Sequence, residues 1–262
     1  MIVLQKTSNL IGHSIRAKDG EIGSVADLLF EDDTWAVRWL VVDTGGWLLG
    51  RKVLLPADHL GSVDVEARAV SVDFTKEQVE ESPGTGIDLP VSRQMETSIY
   101  DHYGMPPYWP VGAGAAWVPP TVYTPAAGHA APTSPPTPLT GHVPDDAQTG
   151  DPHLRSASEV TGYDIHGSDD QVGHVEDFLV DTDEWIVRYV IVDTKNWWPG
   201  KQVIVPPKWV EAINWEKHAM RVARTRDEIK NAPEYDPWSP VDRDYETRLY
   251  SYYRMPVYWT QT

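Results

Sequence analysis

The sequence predicts a mainly β protein: two copies of a small six-stranded barrel or sandwich, each followed by short helices and an aromatic C-terminal strap, with a disordered linker between them. Three observations predict it. The chain repeats itself, a proline-rich stretch separates the copies, and each copy breaks into short turn-punctuated runs of β-branched and aromatic residues.

The repeat carries most weight. Gly12, Gly23, Asp27, Trp35, Arg38, Asp43, Trp47, Gly50 and Pro56 recur as Gly162, Gly173, Asp177, Trp185, Arg188, Asp193, Trp197, Gly200 and Pro206. The register continues without a gap to Tyr100, Tyr103, Met105, Pro106, Tyr108 and Trp109, matched by Tyr250, Tyr253, Met255, Pro256, Tyr258 and Trp259. About a third of the paired positions are identical, and chance does not hold a register that long. The copies occupy residues 1–110 and 153–262, with a linker over 111–152. That linker is Pro, Ala, Gly and Thr with few large apolar residues, so it cannot bury enough surface to offset its ordering entropy. Its histidines, counted as His129, His142 and His153, have no ligand-like spacing and read as solvated.

Within the first copy, Ile15–Ala17 and Ile22–Phe30 flank the turn signal Lys18-Asp19-Gly20-Glu21. Trp35–Asp43 follows as a third strand, then a Gly-rich turn, Lys52–Leu55, Ser62–Glu66 and Ala69–Asp73. Thr75 and Gln78 make a capping box, with Phe74 and Val79 as its staple and Pro83 as its stop. Thr225 and Glu228 repeat the box. A second helix starts at Ser92, or Asp242, with Met95 and Ile99, or Tyr245 and Leu249, on one face. The aromatic endings Tyr100–Trp109 and Tyr250–Trp259 read as straps wrapping each barrel.

If Glu31–Thr34 is a hairpin loop, Phe30 faces Trp35, Leu28 faces Val37 and Ala26 faces Trp39. Asp27 then lies opposite Arg38, a charge pair that locks the register, and Asp177 and Arg188 offer the same pair. Both hairpin faces are mostly apolar, including the face bearing Trp39 or, in the second copy, Tyr189. One face fills the barrel and the other needs a cover. The candidates are the copy's own helices, the sister copy, or another protein.

Charge and composition exclude several functions. The 262 residues hold 22 Lys+Arg against 39 Asp+Glu, a net charge of -17, which repels nucleic acid and anionic lipid. Cysteine is absent, which removes disulfides, thiolate metal sites and cysteine nucleophiles. No leader and no stretch of spanning length is visible, so a soluble cytoplasmic protein is expected.

The sharpest catalytic pattern is Val41-Val42-Asp43-Thr44-Gly45, which looks like the Asp-Thr-Gly motif of aspartic proteases. The second copy reads Ile191-Val192-Asp193-Thr194-Lys195, and the lysine takes the place of the glycine a tight active-site turn needs. A strand-ending turn is the simpler reading. Asp32-Asp33 and Asp145-Asp146 read as loop solvation, and nothing has calcium-loop spacing. No catalytic residue, cofactor or metal is therefore expected.

Together, Gly12…Gly23-Ser-Val-Ala-Asp27, Trp35-Ala-Val-Arg38-Trp-Leu-Val-Val-Asp43-Thr44 and Gly50-Arg-Lys-Val-Leu-Leu-Pro56 resemble the PRC-barrel family. That domain is shared by the cytoplasmic part of the photosynthetic reaction centre H subunit and a ribosome maturation factor. The resemblance covers both copies and implies a small six-stranded barrel, without catalytic residues of its own, used for protein–protein contact. The expected function is a non-catalytic scaffold that binds a protein partner, with the repeats paired within the chain or between two chains. A membrane-complex or electron-transfer accessory role is the alternative, and a protease a distant third. The interface candidates are Asp27, Arg38, Trp39, Trp109 and their counterparts Asp177, Arg188, Tyr189 and Trp259.

Overall fold

The twelve-residue strand Gly20–Glu31 is far longer than the Ser14–Ala17 strand beside it, and that mismatch organises the molecule. The computed structural model of the chain describes residues 4–46, 48, 50–83, 93–108, 153–194, 201–214 and 216–260. The expected linker, Ser92 and Trp109 lie outside the described residues.

The first repeat runs β1 (Leu4–Lys6), α1 (Thr7–Leu10), β2 (Ser14–Ala17), β3 (Gly20–Glu31), β4 (Val37–Asp43), β5 (Lys52–Pro56), β6 (Leu60–Asp64), β7 (Ala69–Val72), α2 (Lys76–Glu80) and α3 (Arg93–Tyr103). The second runs β8 (Leu154–Ser156), α4 (Ala157–Val160), β9 (Asp164–His166), β10 (Gln171–Asp181), β11 (Ile186–Asp193), β12 (Gln202–Val205), β13 (Val210–Asn214), β14 (Ala219–Val222), α5 (Arg226–Lys230) and α6 (Arg243–Tyr252).

Each repeat contributes six strands in the same order, β5-β4-β3-β2-β7-β6 and β12-β11-β10-β9-β14-β13, with β2–β7 and β9–β14 parallel. The seventh strand of each sheet comes from the other repeat. Where β2 ends, β8 takes over the open edge of β3, pairing Leu29 with Ser156 and Glu31 with Leu154. Reciprocally, β1 pairs Leu4 with Asp181 and Lys6 with Leu179 on β10. An unpaired edge would leave backbone N–H and C=O groups without partners, and the exchange covers it.

These sheets are not closed barrels, which corrects the six-stranded barrel expected above. The chain leaves β5 at Pro56, turns a corner through the short 3-10 helix Ala57–His59 and enters β6, so the end strands meet at a corner instead of along a ladder. Pro56 has no N–H to donate there. Pro206 and Pro207 make the same corner in the second repeat.

The expected hairpin register also fails. Irregularities between Val25 and Asp27, and between Leu29 and Phe30, each shift the pairing. Trp35 takes a left-handed φ of 63°, which removes it from the strand. Leu28 therefore faces Leu40, Leu29 faces Trp39 and Phe30 faces Val37, while Asp27 faces Val41 and not Arg38. A bulge spends an extra residue and so reverses the alternation beyond it.

The need for a cover is met inside the chain. Val25, Leu28, Phe30, Val37, Leu40 and Val42 join one core cluster continuous with that of the second repeat. Leu29, Trp39, Val41 and Leu54 form a second cluster with Ile99 and Tyr100 of α3 and Leu154 of the sister repeat. Trp39 and Leu40 are both fully buried. Both capping boxes form, with Thr75 and Thr225 as N-caps, and Asp242 caps α6 by accepting from Tyr245 N at 2.7 Å. Gly23 and Gly173 recur because a Cβ at either would lie 2.1 Å from the carbonyl oxygen of Asp43 or Asp193.

The repeats differ at His13, whose counterpart is Tyr163. The Tyr163 hydroxyl donates to Glu159 at 3.0 Å, whereas the buried His13 Nδ1 has no hydrogen-bond partner among the described residues. Burial, assisted by the charge of Arg68, lowers the pKa of His13 from 6.5. Because the folded value lies below the unfolded one, this contribution to stability is complete above pH 6.5 and is lost as pH falls through the folded pKa. The urea midpoint is expected to fall over that range, and less steeply in His13→Tyr. Parallel pH profiles of the two proteins would contradict this.

Candidate functional site: the junction between the repeats

The repeated aspartates Asp27 and Asp177 sit where each repeat receives the other's first strand and helix. Asp27 Oδ2 accepts from Ser156 Oγ at 2.5 Å, and its Oδ1 accepts from Ser158 N at 3.1 Å. Asp177 Oδ1 accepts from Thr7 Oγ1 at 2.5 Å and from Ser8 N at 3.3 Å, and its Oδ2 accepts from Ser8 Oγ at 2.5 Å. Each carboxylate also takes the next backbone N–H on its own strand, from Leu28 or Phe178. Hydrogen bonds to a charged acceptor are the stronger kind. The aspartates are therefore the polar fasteners of the exchange, not the register-locking partners of Arg38 and Arg188.

Between these fasteners the hairpins touch across a local pseudo-two-fold. Val37 N donates to Trp185 O at 2.8 Å, and Val187 N donates to Trp35 O at 2.9 Å. Ala36 bridges Ile186, and the Phe30 and Phe178 rings lie 5.3 Å apart. Trp35 and Trp185 both hold left-handed φ, 63° and 50°. That conformation is uncommon for a bulky side chain, and the crossed hydrogen bonds on their carbonyls help fix it.

Arg38 pairs with Glu31 at 2.6 Å and stacks on Tyr108, 4.0 Å from the ring centre. Arg188 pairs with Asp181 at 3.0 Å and Glu184 at 2.5 Å, and lies 4.5 Å from the Tyr258 ring centre. The strap tyrosines reach on to buried acids. Tyr108 donates to Glu96 at 3.2 Å and Tyr258 to Glu246 at 3.0 Å. Beneath them, Trp39 Nε1 donates to Glu96 at 3.4 Å and the Tyr189 hydroxyl to Glu246 at 2.7 Å. Burial drives the Tyr189 hydroxyl pKa far upward and pushes that of Tyr258 up to about 12. These phenols act as neutral donors, which is what a buried carboxylate requires. Trp259 packs edge-on to Tyr250 at 5.8 Å under the Arg243 guanidinium. In both repeats the aromatic ending thus folds back on its own sheet.

One side of the junction carries an ion-pair latch that the sequence reading missed. Asp32 pairs with Arg155, and His153 Nδ1 lies 3.0 Å from Asp32 and 3.4 Å from Asp33. Burial raises the Asp32 pKa against the opposing pull of His153 and Arg155. The counterparts of His153 and Arg155 are Val3 and Gln5, so the latch is one-sided. His153 belongs to the ordered junction and not to a solvated linker. Beside it a cavity of about 500 Å³ is lined by Asp33, Thr34, Trp35, Arg188, Lys208 and Tyr258, among others.

The two Asp-Thr motifs end strands of different sheets. Asp43 ends β4 in the first sheet and accepts from Gly45 N at 2.8 Å, a local turn. Asp193 ends β11 in the second sheet, opposite His174 and Gln202.

A family model described as PRC-barrel domain matches residues 6–79 and again residues 152–229. An uncharacterized protein of Deinococcus radiodurans is 33% identical over 88 residues, which is 33% of this chain and 31% of that protein. The chain thus spans about a third of that relative's length. The family matches cover more than half of the chain and fall on the two exchanged sheets, and the chain belongs to the PRC-barrel domain family.

Proposed function

We propose that the chain is a non-catalytic scaffold whose paired repeats present acidic and aromatic surface to a basic protein partner. The observation that carries this reading is Trp238, which is 93% exposed on an ordered turn. Trp238 N donates to Asp236 Oδ1 at 3.0 Å and Ser239 Oγ to Asp236 Oδ2 at 2.7 Å, with Pro237 and Pro240 stiffening the backbone. A large indole presented to water from an ordered backbone turn suits a hydrophobic anchor at an interface. The net charge of -17 favours a cationic partner and makes its capture weaken with salt. Among the described residues no helix is long and apolar enough to cross a membrane.

The test is affinity purification from the native cell with wild type and Trp238→Ala in parallel. Because the side chain is exposed, the substitution leaves the fold intact. Loss of an anchor worth about 1.4 kcal/mol or more lowers partner affinity about tenfold or more. A partner retained equally by both proteins, or unaffected by salt, would remove this surface from consideration. A partner that proves to be a membrane complex would favour the accessory role.

A further inference from the structure

We propose that the second repeat carries a divalent transition-metal site, built from His174, Glu176, Asp193 and Gln202, that the first repeat lacks. His174 lies on β10 directly opposite Asp193 on β11, and Asp193 lies directly opposite Gln202 on β12. Directly opposed residues of neighbouring strands project from the same face, so the three form a row. Glu176, two residues along β10, brings its Oε2 to 3.6 Å from His174 Nε2. The ligand atoms of His174, Glu176 and Asp193 all lie within 4.8 Å of one another. Donors sharing a zinc ion at about 2.1 Å sit about 3–4 Å apart, so adjustments of about 1 Å in the side chains close the set.

The comparison between repeats supplies the second argument. The same row in the first repeat is Ser24, Asp43 and Lys52, with Ala26 at the position of Glu176. The aspartate is kept, while the row changes in three ways at once. A hydroxyl becomes an imidazole, a methyl becomes a carboxylate, and the ammonium becomes an amide. The Gln202 Oε1 that replaces the ammonium is buried and accepts no hydrogen bond among the described residues. With a lysine exchanged for a glutamine and a carboxylate added, the row around the buried Asp193, only 1% exposed, is more acidic than its counterpart and suits a cation better. His174 and Glu176 are about a third exposed, which leaves a path for the ion to enter.

One imidazole nitrogen with carboxylate and amide oxygens suits Zn²⁺ and its first-row neighbours better than Ca²⁺ or Mg²⁺. The other histidine–acid group, Asp32, Asp33 and His153, is different in kind, because the Arg155 guanidinium already pairs with Asp32.

The experiment is calorimetric titration of the chelator-stripped full chain with Zn²⁺, then with Mg²⁺ and Ca²⁺. Saturable one-to-one Zn²⁺ binding is expected, with no comparable response to the other two. His174→Ser with Glu176→Ala installs residues the first repeat already carries, and Gln202→Lys restores its ammonium. Each is expected to weaken Zn²⁺ about tenfold or more with an unchanged far-ultraviolet spectrum. His153→Ala is expected to leave the affinity unchanged. The proposal is overturned by absence of saturable Zn²⁺ uptake, by equal affinity in the folded variants, or by loss through His153→Ala instead.

Discussion

Asp177→Ala is expected to cost about 3 kcal/mol of stability, at the upper end for one polar side chain. Asp177 is buried and accepts hydrogen bonds from Thr7 Oγ1, Ser8 Oγ, Ser8 N and Phe178 N. Removing the acceptor strands the buried Thr7 hydroxyl, while the exposed Ser8 can turn to water in part. Each unsatisfied buried donor costs about 1–3 kcal/mol, and the losses share one acceptor, so they do not simply add. Urea unfolding measures the effect.

The location of that loss is what distinguishes a fastener of the exchange from a hairpin charge pair. If Asp177 served Arg188, its removal would be felt within the second repeat alone. Since its donors are Thr7 and Ser8, a double-mutant cycle with the Thr7→Ala, Ser8→Ala variant should show strong coupling. A cycle with Arg188→Ala should show little, because Arg188 answers to Asp181 and Glu184. Asp27→Ala is expected to behave in the same way toward Ser156. The opposite coupling pattern would mean that the carboxylate has another partner.

How much of this was legible in the sequence depended on whether the deciding partner was local. Thr75 and Gln78 cap a helix within four residues of chain, so their pattern alone declares it, and both boxes form as read. The strands from Ser14 to Val72 lie close to their expected positions, because β-branched runs between turn signals depend on neighbours along the chain. Register was not legible. Two bulges in β3 and the left-handed Trp35 moved Asp27 from Arg38 to Val41, and strict alternation contains no sign of a bulge.

The exchange was hidden for a different reason. Leu4-Gln5-Lys6 is too short and too polar to announce a strand, and its ladder partner is Leu179–Asp181, far along the chain. Two similar repeats also look alike to each other's first strand, so sequence cannot say which sheet it joins. The His174, Glu176 and Asp193 set escaped for the same reason: opposed strands bring it together, and no linear spacing carries it.

Deleting residues 1–6 is the second large effect and the most direct test, because the damage should appear in the repeat that was not cut. With β1 gone, the far end of β10 loses a ladder that now pairs Leu179, Val180 and Asp181. The cut leaves Leu10 in place in the core. Hydrogen exchange across the truncated chain is predicted to accelerate over 179–182 in the second repeat, while 14–31 in the first keeps its protection. Acceleration confined to the first repeat, with 179–182 unchanged, would mean that each sheet keeps its own first strand and that the exchange does not exist.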